Sequence, residues 1–272
     1  MPSKIWVRKM LINTLIFSLI VGVAVGFSAG YLGSIMVLEK MALVGDAMSH
    51  VALPGLALGV LLGFNPLLGG FMFLFVSAVL IWHLGRVTKL SFETLVGAAF
   101  TLSLAIGILL YGNNLDALES ALFGDITKVD LTYAVLSVVI SAVIVFLTRF
   151  IYKKIVLTLI SEELAKSRGV NTAFTNLLYL LLVSVIVAIG IQVTGTLLVG
   201  FLVVTPAAAA RIVSGNLSRY YFLSAVFGAV AAVSGIFLSA SLNILPGPLI
   251  VISGVIIFIV ALGYRLLKKL AI

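Results

Sequence analysis

The sequence predicts an all-α protein that crosses a membrane eight or nine times and forms one transmembrane domain over residues 1–272. Three observations lead there. Hydrophobic residues make up 62% of the chain and charged residues only 10%, whereas a soluble domain carries about 25% charged residues. Mean hydropathy is +1.32. The apolar residues also fall into successive runs of about 20, the length a helix needs to cross a hydrocarbon core of about 30 Å.

The expected spans are 11–31, 46–63, 66–84, 93–112, 131–150, 173–193, 195–213, 220–242 and 247–267. The first follows Lys4, Arg8 and Lys9, which gives it the look of a secretory signal. Its apolar run exceeds the roughly 7 to 15 residues of a signal core, so an uncleaved first helix is expected. Asn65-Pro66 separates the second and third spans, Tyr111-Gly112-Asn113-Asn114 ends the fourth, and Pro246-Gly247-Pro248 divides the last two.

Charge sorts the connections. His83, Arg86 and Lys89 mark one basic stretch; Arg149, Lys153, Lys154, Lys166 and Arg168 a second; Arg211 and Arg219 a third; Arg265, Lys268 and Lys269 the last. Cytoplasmic loops gather Lys and Arg, so these four face inward. Residues 113–130 hold Asp116, Glu119, Asp125 and Asp130 against Lys128 and are expected outside. This alternation works from His83 onward. Upstream, three crossings from a basic, inward N-terminus would place 83–89 outside, so either the N-terminus is outside or an early segment turns back. The net charge of +8 thus belongs to membrane loops and not to a nucleic-acid surface, and the absence of cysteine excludes disulfides and thiolate metal sites.

Nine acidic residues are present, and most fall in expected loops or at helix ends; Glu39 sits beside Lys40, where the two could pair. Asp46 heads the apolar run Ala47–Gly63, with His50 four residues on. Positions i and i+4 share a helix face, so a carboxylate and an imidazole stand one turn apart, a half-site for a borderline divalent cation. The alternative is that Asp46 caps the helix, accepting N–H groups of Met48 or Ser49. Pro54 and Gly55 follow, a pattern for a kinked or broken helix of the kind that forms transporter sites near the midplane.

Two further segments stand out. Residues 160–170 are short, amphipathic and cytoplasmic, with Ser161 suited to an N-cap and Gly169 to the C-terminal stop. They read either as a solvated turn or as a docking helix for a soluble partner. Gly195-Thr196-Leu197-Leu198-Val199-Gly200 leads to Thr205-Pro206-Ala207 and Arg211; its small residues and central proline suit close, kinked helix packing, including a dimer contact.

Together these segments resemble the permeases of the metal-ion family of ABC importers, the zinc and manganese type. The family carries strings close to LLGDALSHAVLPGVAL and VGALLLVALLIIPAATARLL; this chain reads ALVGDAMSHVALPGLALG over 42–59 and TGTLLVGFLVVTPAAAARIV over 194–213. ALFGDI at 121–126 is also similar to this group and inclines the cargo toward zinc. Glu39-Lys40 stands where two basic residues are common, and Glu93 where aspartate is common.

The resemblance implies a permease in the cytoplasmic membrane, working as a homodimer with two cytoplasmic ATP-binding subunits and an extracellular or periplasmic metal-binding protein. It implies metal ligation by Asp46 and His50. Docking of the ATPase would use Ser161, Glu162, Glu163, Ala165 and Gly169, and helix kinks for gating would lie at Pro54 and Pro206. No permanent cofactor is expected; the metal is cargo and ATP is handled by the partner, since the chain lacks a GxxxxGK(S/T) loop. His50 must be neutral to ligate, so uptake should fall as pH drops through the histidine range.

Three other classes fit these residues less well. A permease for chelated iron or cobalamin needs a wide vestibule, not paired ligands. An ion-coupled carrier needs several intramembrane acids, where Asp46 stands alone. An intramembrane protease needs HExxH, paired aspartates or GxSG, none of which occurs.

Overall fold

A computed structural model describes the backbone of residues 4–88, 90–112, 114–125, 129–242 and 244–270, and the side chains of those between 13 and 268. Lys89, Asn113, Ile126, Lys128 and Asn243, and the side chains of Lys4, Arg8, Lys9 and Lys269, lie outside the described residues.

The described chain is helical: α1 (Lys4–Leu38), α2 (Ala42–Val51), α3 (Leu53–Leu62), α4 (Pro66–Thr88), α5 (Phe92–Tyr111), α6 (Leu115–Phe123), α7 (Leu131–Ile160), α8 (Glu162–Ser167), α9 (Thr172–Thr194), α10 (Val199–Val213), α11 (Leu217–Leu242) and α12 (Pro246–Leu270). Taking α2 and α3 as one interrupted helix, eight are long and apolar enough to cross a membrane, and α10 is a shorter apolar helix. Side-chain caps set several starts. Ser91, Asp130 and Asn171 accept the N–H groups of Thr94, Tyr133 and Phe174, each satisfying a donor the first helical turn leaves open.

α2–α3 and α9 are the most buried spans, while α4, α5 and α12 are the least buried. Hydrophobic side chains on those outer faces belong against lipid. Leu32, Met36, Met48, Leu53 and Ile186 are fully buried and tie α1, α2, α3 and α9 into one core. α1 meets α11 along small residues: Ser224 donates to the Gly30 carbonyl and Tyr220 donates to Ser34 O at 3.1 Å. Close approach of this sort, with hydroxyls bonding across helices, is how bundles cohere in lipid.

The topology resolves the early ambiguity. One end of the bundle gathers Glu39 and Lys40 after α1, Ser91 and Phe92 at the start of α5, Leu159 of α7, and Asn176 and Tyr179 of α9, all around one cavity. There too the Arg211 guanidinium donates to Val37 O at 3.0 Å. This end carries the basic connections, so the positive-inside bias assigns it to the cytoplasm, and the N-terminal end of α1 is at the opposite end, with residues 114–125. The positive-inside bias is summed over many short loops, and the first helix does not always dominate it.

Several boundaries moved, α1 running on to Leu38 where 31 was expected and α10 beginning at Val199 where 195 was. α7 continues through Arg149, Lys153 and Lys154 to Ile160, where a span ending at 150 was expected; long basic side chains reach the interface without ending a helix. Residues 115–123, expected as loop, form α6. The Glu39–Lys40 pairing is absent among the described residues. Lys40 takes a left-handed backbone (φ 61°), and Glu39 turns to the cavity shared with Tyr179.

Candidate metal path

α2 begins at Ala42 after an N-cap at Met41, so Asp46 lies within the helix. That removes the capping role weighed for Asp46: its segment's N–H groups already bond within the helix. Asp46 is exposed on the single chain, as is Leu43 one turn earlier. Its carboxylate has no hydrogen bond or ion pair among the described residues. His50, on the same face, is 7% exposed, and its Nδ1 is buried with no hydrogen-bond partner. An orphaned buried imidazole nitrogen is costly unless a ligand completes it.

The depth follows from α5. The His50 ring packs edge-on against Phe100, centroids 5.1 Å apart, and Phe100 is nine residues into a 20-residue helix. At 1.5 Å per residue this is about 12 Å from the cytoplasmic end, near the bilayer middle. Asp46 lies one turn nearer the cytoplasmic end than His50, still within the span, where an unpaired carboxylate is expensive.

Ala52 divides α2 from α3, and Pro54 occupies the first turn of α3. Proline has no N–H, so the His50 carbonyl, its partner four residues back, loses a helical donor. The Ala52 N–H instead bonds Ser49 O at 3.4 Å, and the Ser49 hydroxyl donates to Asp46 O at 2.5 Å. The Asp46–Ala52 turn is thereby held where α2 gives way to α3. On the opposite side Gly200 of α10 lies flat on Asp46: a Cβ at 200 would overlap the Asp46 backbone. Pro206 lies inside α10, six residues on.

The two remaining sequence segments meet at the outer end. Thr196 and Leu197 donate to Ala121 O and Leu122 O at 2.9 and 3.0 Å, and Asp125 donates to Gln192 O at 2.9 Å. Gly195, at φ 77°, is pressed against Leu122 so closely that no side chain fits there. Residues 121–125 thus brace the turn that leads into α10. Beside it, a cavity of about 860 Å³ is bounded by Asp116, Asp125 and Asp130, with no basic side chain among its described lining.

At the cytoplasmic end, Ser161 caps α8 by accepting Leu164 N–H at 3.2 Å. Gly169 (φ 74°) donates to Lys166 O and Val170 to Ala165 O, both at 3.0 Å, the paired bonds of a Schellman stop. Ala165 is buried, while Glu162 and Glu163 are exposed. Lys166 bridges Glu162 at 2.8 Å and holds its carboxyl below the usual range.

The profile of the ABC 3 transport family matches residues 11–265. The chain belongs to that family. It is 30% identical over 246 residues to the manganese transport system membrane protein MntC of Listeria monocytogenes, covering 90% of this chain and 88% of the relative. It is equally similar, over the same shares, to the manganese import system permease protein ScaB of Streptococcus parasanguinis. Among solved structures, PsaBC from Streptococcus pneumoniae, in complex with Fab, superposes with a TM-score of 0.79 at 32% identity, covering 93% of this chain and 90% of that one. The all-α, multi-pass architecture in a cell membrane is that of an ABC 3 permease.

The sequence spacing put Asp46 and His50 on one helix face, as α2 has them, and gave no sign of their neighbours. Phe100 and Gly200 are distant in sequence and carry no chemistry of their own. Gly200 was visible only as one small residue in a small-residue stretch.

Proposed function

We propose that this chain is the permease of an ATP-driven importer for a divalent metal ion, with Mn²⁺ as cargo, and that Asp46 and His50 ligate the ion midway across the membrane. The observation that carries this reading is the pairing of an exposed, unpartnered carboxylate with a buried imidazole whose Nδ1 has no partner. Carboxylate oxygen and imidazole nitrogen suit Mn²⁺, Fe²⁺ and Zn²⁺ alike. The manganese names of the relatives favour Mn²⁺ over the zinc that ALFGDI first suggested. A chelated cargo is disfavoured because the Asp46–His50 turn is packed closely by Gly200 and Phe100.

Asp46 and Leu43 lie open on one face of α2, and a second copy covering that face would enclose the carboxylate and supply a matching Asp–His pair. Two cytoplasmic ATP-binding subunits would dock at α8 through Ser161, Glu162, Glu163, Ala165 and Gly169, and an extracellular metal-binding protein would deliver the ion. Pro54 and Pro206 would let α2–α3 and α10 flex around the ligands. The acidic outer cavity would raise local cation concentration.

The test is cellular metal content in a strain stripped of its own uptake systems, expressing this chain with its ATPase and binding protein. Manganese should accumulate with the native chain and fall to background with Asp46→Ala and with His50→Ala at equal expression. Normal accumulation in both variants would show that the two residues are structural. Accumulation of zinc alone would retain the site and change the cargo.

A further inference from the structure

A second feature lies far from Asp46, on the outer side of α1, α7 and α11. We propose that the cleft between α7 and α11 holds an anionic phospholipid of the cytoplasmic leaflet. The cleft encloses about 670 Å³ and includes two cations, Arg149 and Lys153, one helical turn apart, with no acidic residue in its lining. The α11 wall supplies Ser218 and Tyr221. The Arg149 guanidinium sits beside the Tyr221 hydroxyl, and the Tyr221 ring is set edge-on against Tyr31 and Tyr152 at 5.2 and 5.0 Å. The phosphate end of the cleft is thus fixed in place.

Depth selects a lipid as the occupant. α7 has 30 residues, about 45 Å, against a hydrocarbon core of about 30 Å. Counting from its outer end, Arg149 and Lys153 fall about 27 to 33 Å down, at the inner headgroup level. Phe146, about one turn above Arg149, is 70% exposed, and Phe150, level with the two cations, is 65% exposed, an apolar wall where the upper part of an acyl chain would lie. Basic clefts between helices on the cytoplasmic side recognise anionic headgroups in this way. A free anion would use the cations and leave the phenylalanines bare.

The test is native mass spectrometry of the permease with its ATPase, carried from bilayers of phosphatidylglycerol mixed equally with phosphatidylcholine of the same chains. The native chain should retain phosphatidylglycerol preferentially. Lys153→Gln, an exposed substitution, should weaken that preference about fivefold, and the double variant Arg149→Gln/Lys153→Gln should weaken it further by about the same factor. Arg265→Gln, a basic residue at the same end but outside the cleft, should leave it unchanged. Equal retention of both lipids by the native chain would overturn the proposal. So would native-like preference in Lys153→Gln and the double variant, an equal loss in Arg265→Gln, or displacement of the lipid by excess soluble glycerol phosphate.

Discussion

At the residue scale the site rests on contacts between atoms far apart in the chain. Gly200 presses α10 onto the Asp46 backbone, so Gly200→Val should push the two helices apart. We expect uptake close to that of Asp46→Ala, with a lower melting temperature, consistent with overpacking costs of about 1 to 3 kcal/mol; fluorescence-detected thermal unfolding and metal content check both. Glu39 gives a separate, pH-dependent test. Burial pushes its carboxyl from 4.5 up to about 7. Between those values the folded chain keeps a proton that the unfolded chain has released. Its contribution to stability is therefore full below about pH 4.5 and is lost as pH rises toward 7. Glu39→Gln should melt higher than the native chain at pH 8 and nearly with it at pH 5, and parallel curves would refute the assignment. The i, i+4 spacing made Asp46 and His50 legible in the sequence, because a helix fixes which residues share a face. Gly200, Phe100 and the turning-in of Glu39 were not legible, because each depends on a neighbour supplied by another helix.

At the element scale, α2–α3 and α8 are the parts whose local chemistry was readable. Pro54 after a carboxylate–imidazole turn signalled an interrupted helix, and the interruption falls at Ala52. Pro54→Ala would return an N–H to the His50 carbonyl and allow α2 and α3 to join. Expression should be unchanged while uptake falls several-fold, as measured by metal content per expressed permease. In α8, Ser161 and Gly169 stand at the cap and stop their residue types favour. Gly169→Val forces a β-branched residue into a left-handed backbone, at a cost of about 1 to 2 kcal/mol. Co-purification of the ATP-binding subunit should decline, while the membrane-embedded fold keeps its melting temperature. Helix lengths were less legible: apolar runs stop at the first charges, whereas α7 carries three basic residues past the interface because their side chains reach water from within the helix.

At the scale of the whole molecule, the bundle is a set of alternating crossings around a mostly buried α2–α3 and α9. Composition dictated a membrane solvent, and apolar runs of about 20 residues an all-α fold. The side of the N-terminus was not available from charge, since the basic start and the basic loop after α4 pull in opposite directions; packing of the cytoplasmic ends around Glu39 decides it. The bare face of α2 belongs to this scale too. An exposed carboxylate within a span predicts a partner copy, so light scattering of the purified permease–ATPase complex should give two permeases per particle. The claim beneath all of this is that the ion binds directly to His50. The most direct measurement is pulsed electron paramagnetic resonance of Mn²⁺ added to that complex without its extracellular binding protein. Nitrogen modulation from a coordinated imidazole should appear with the native chain and vanish in His50→Gln. Modulation that persists in His50→Gln, or that never appears in the native complex, would contradict it.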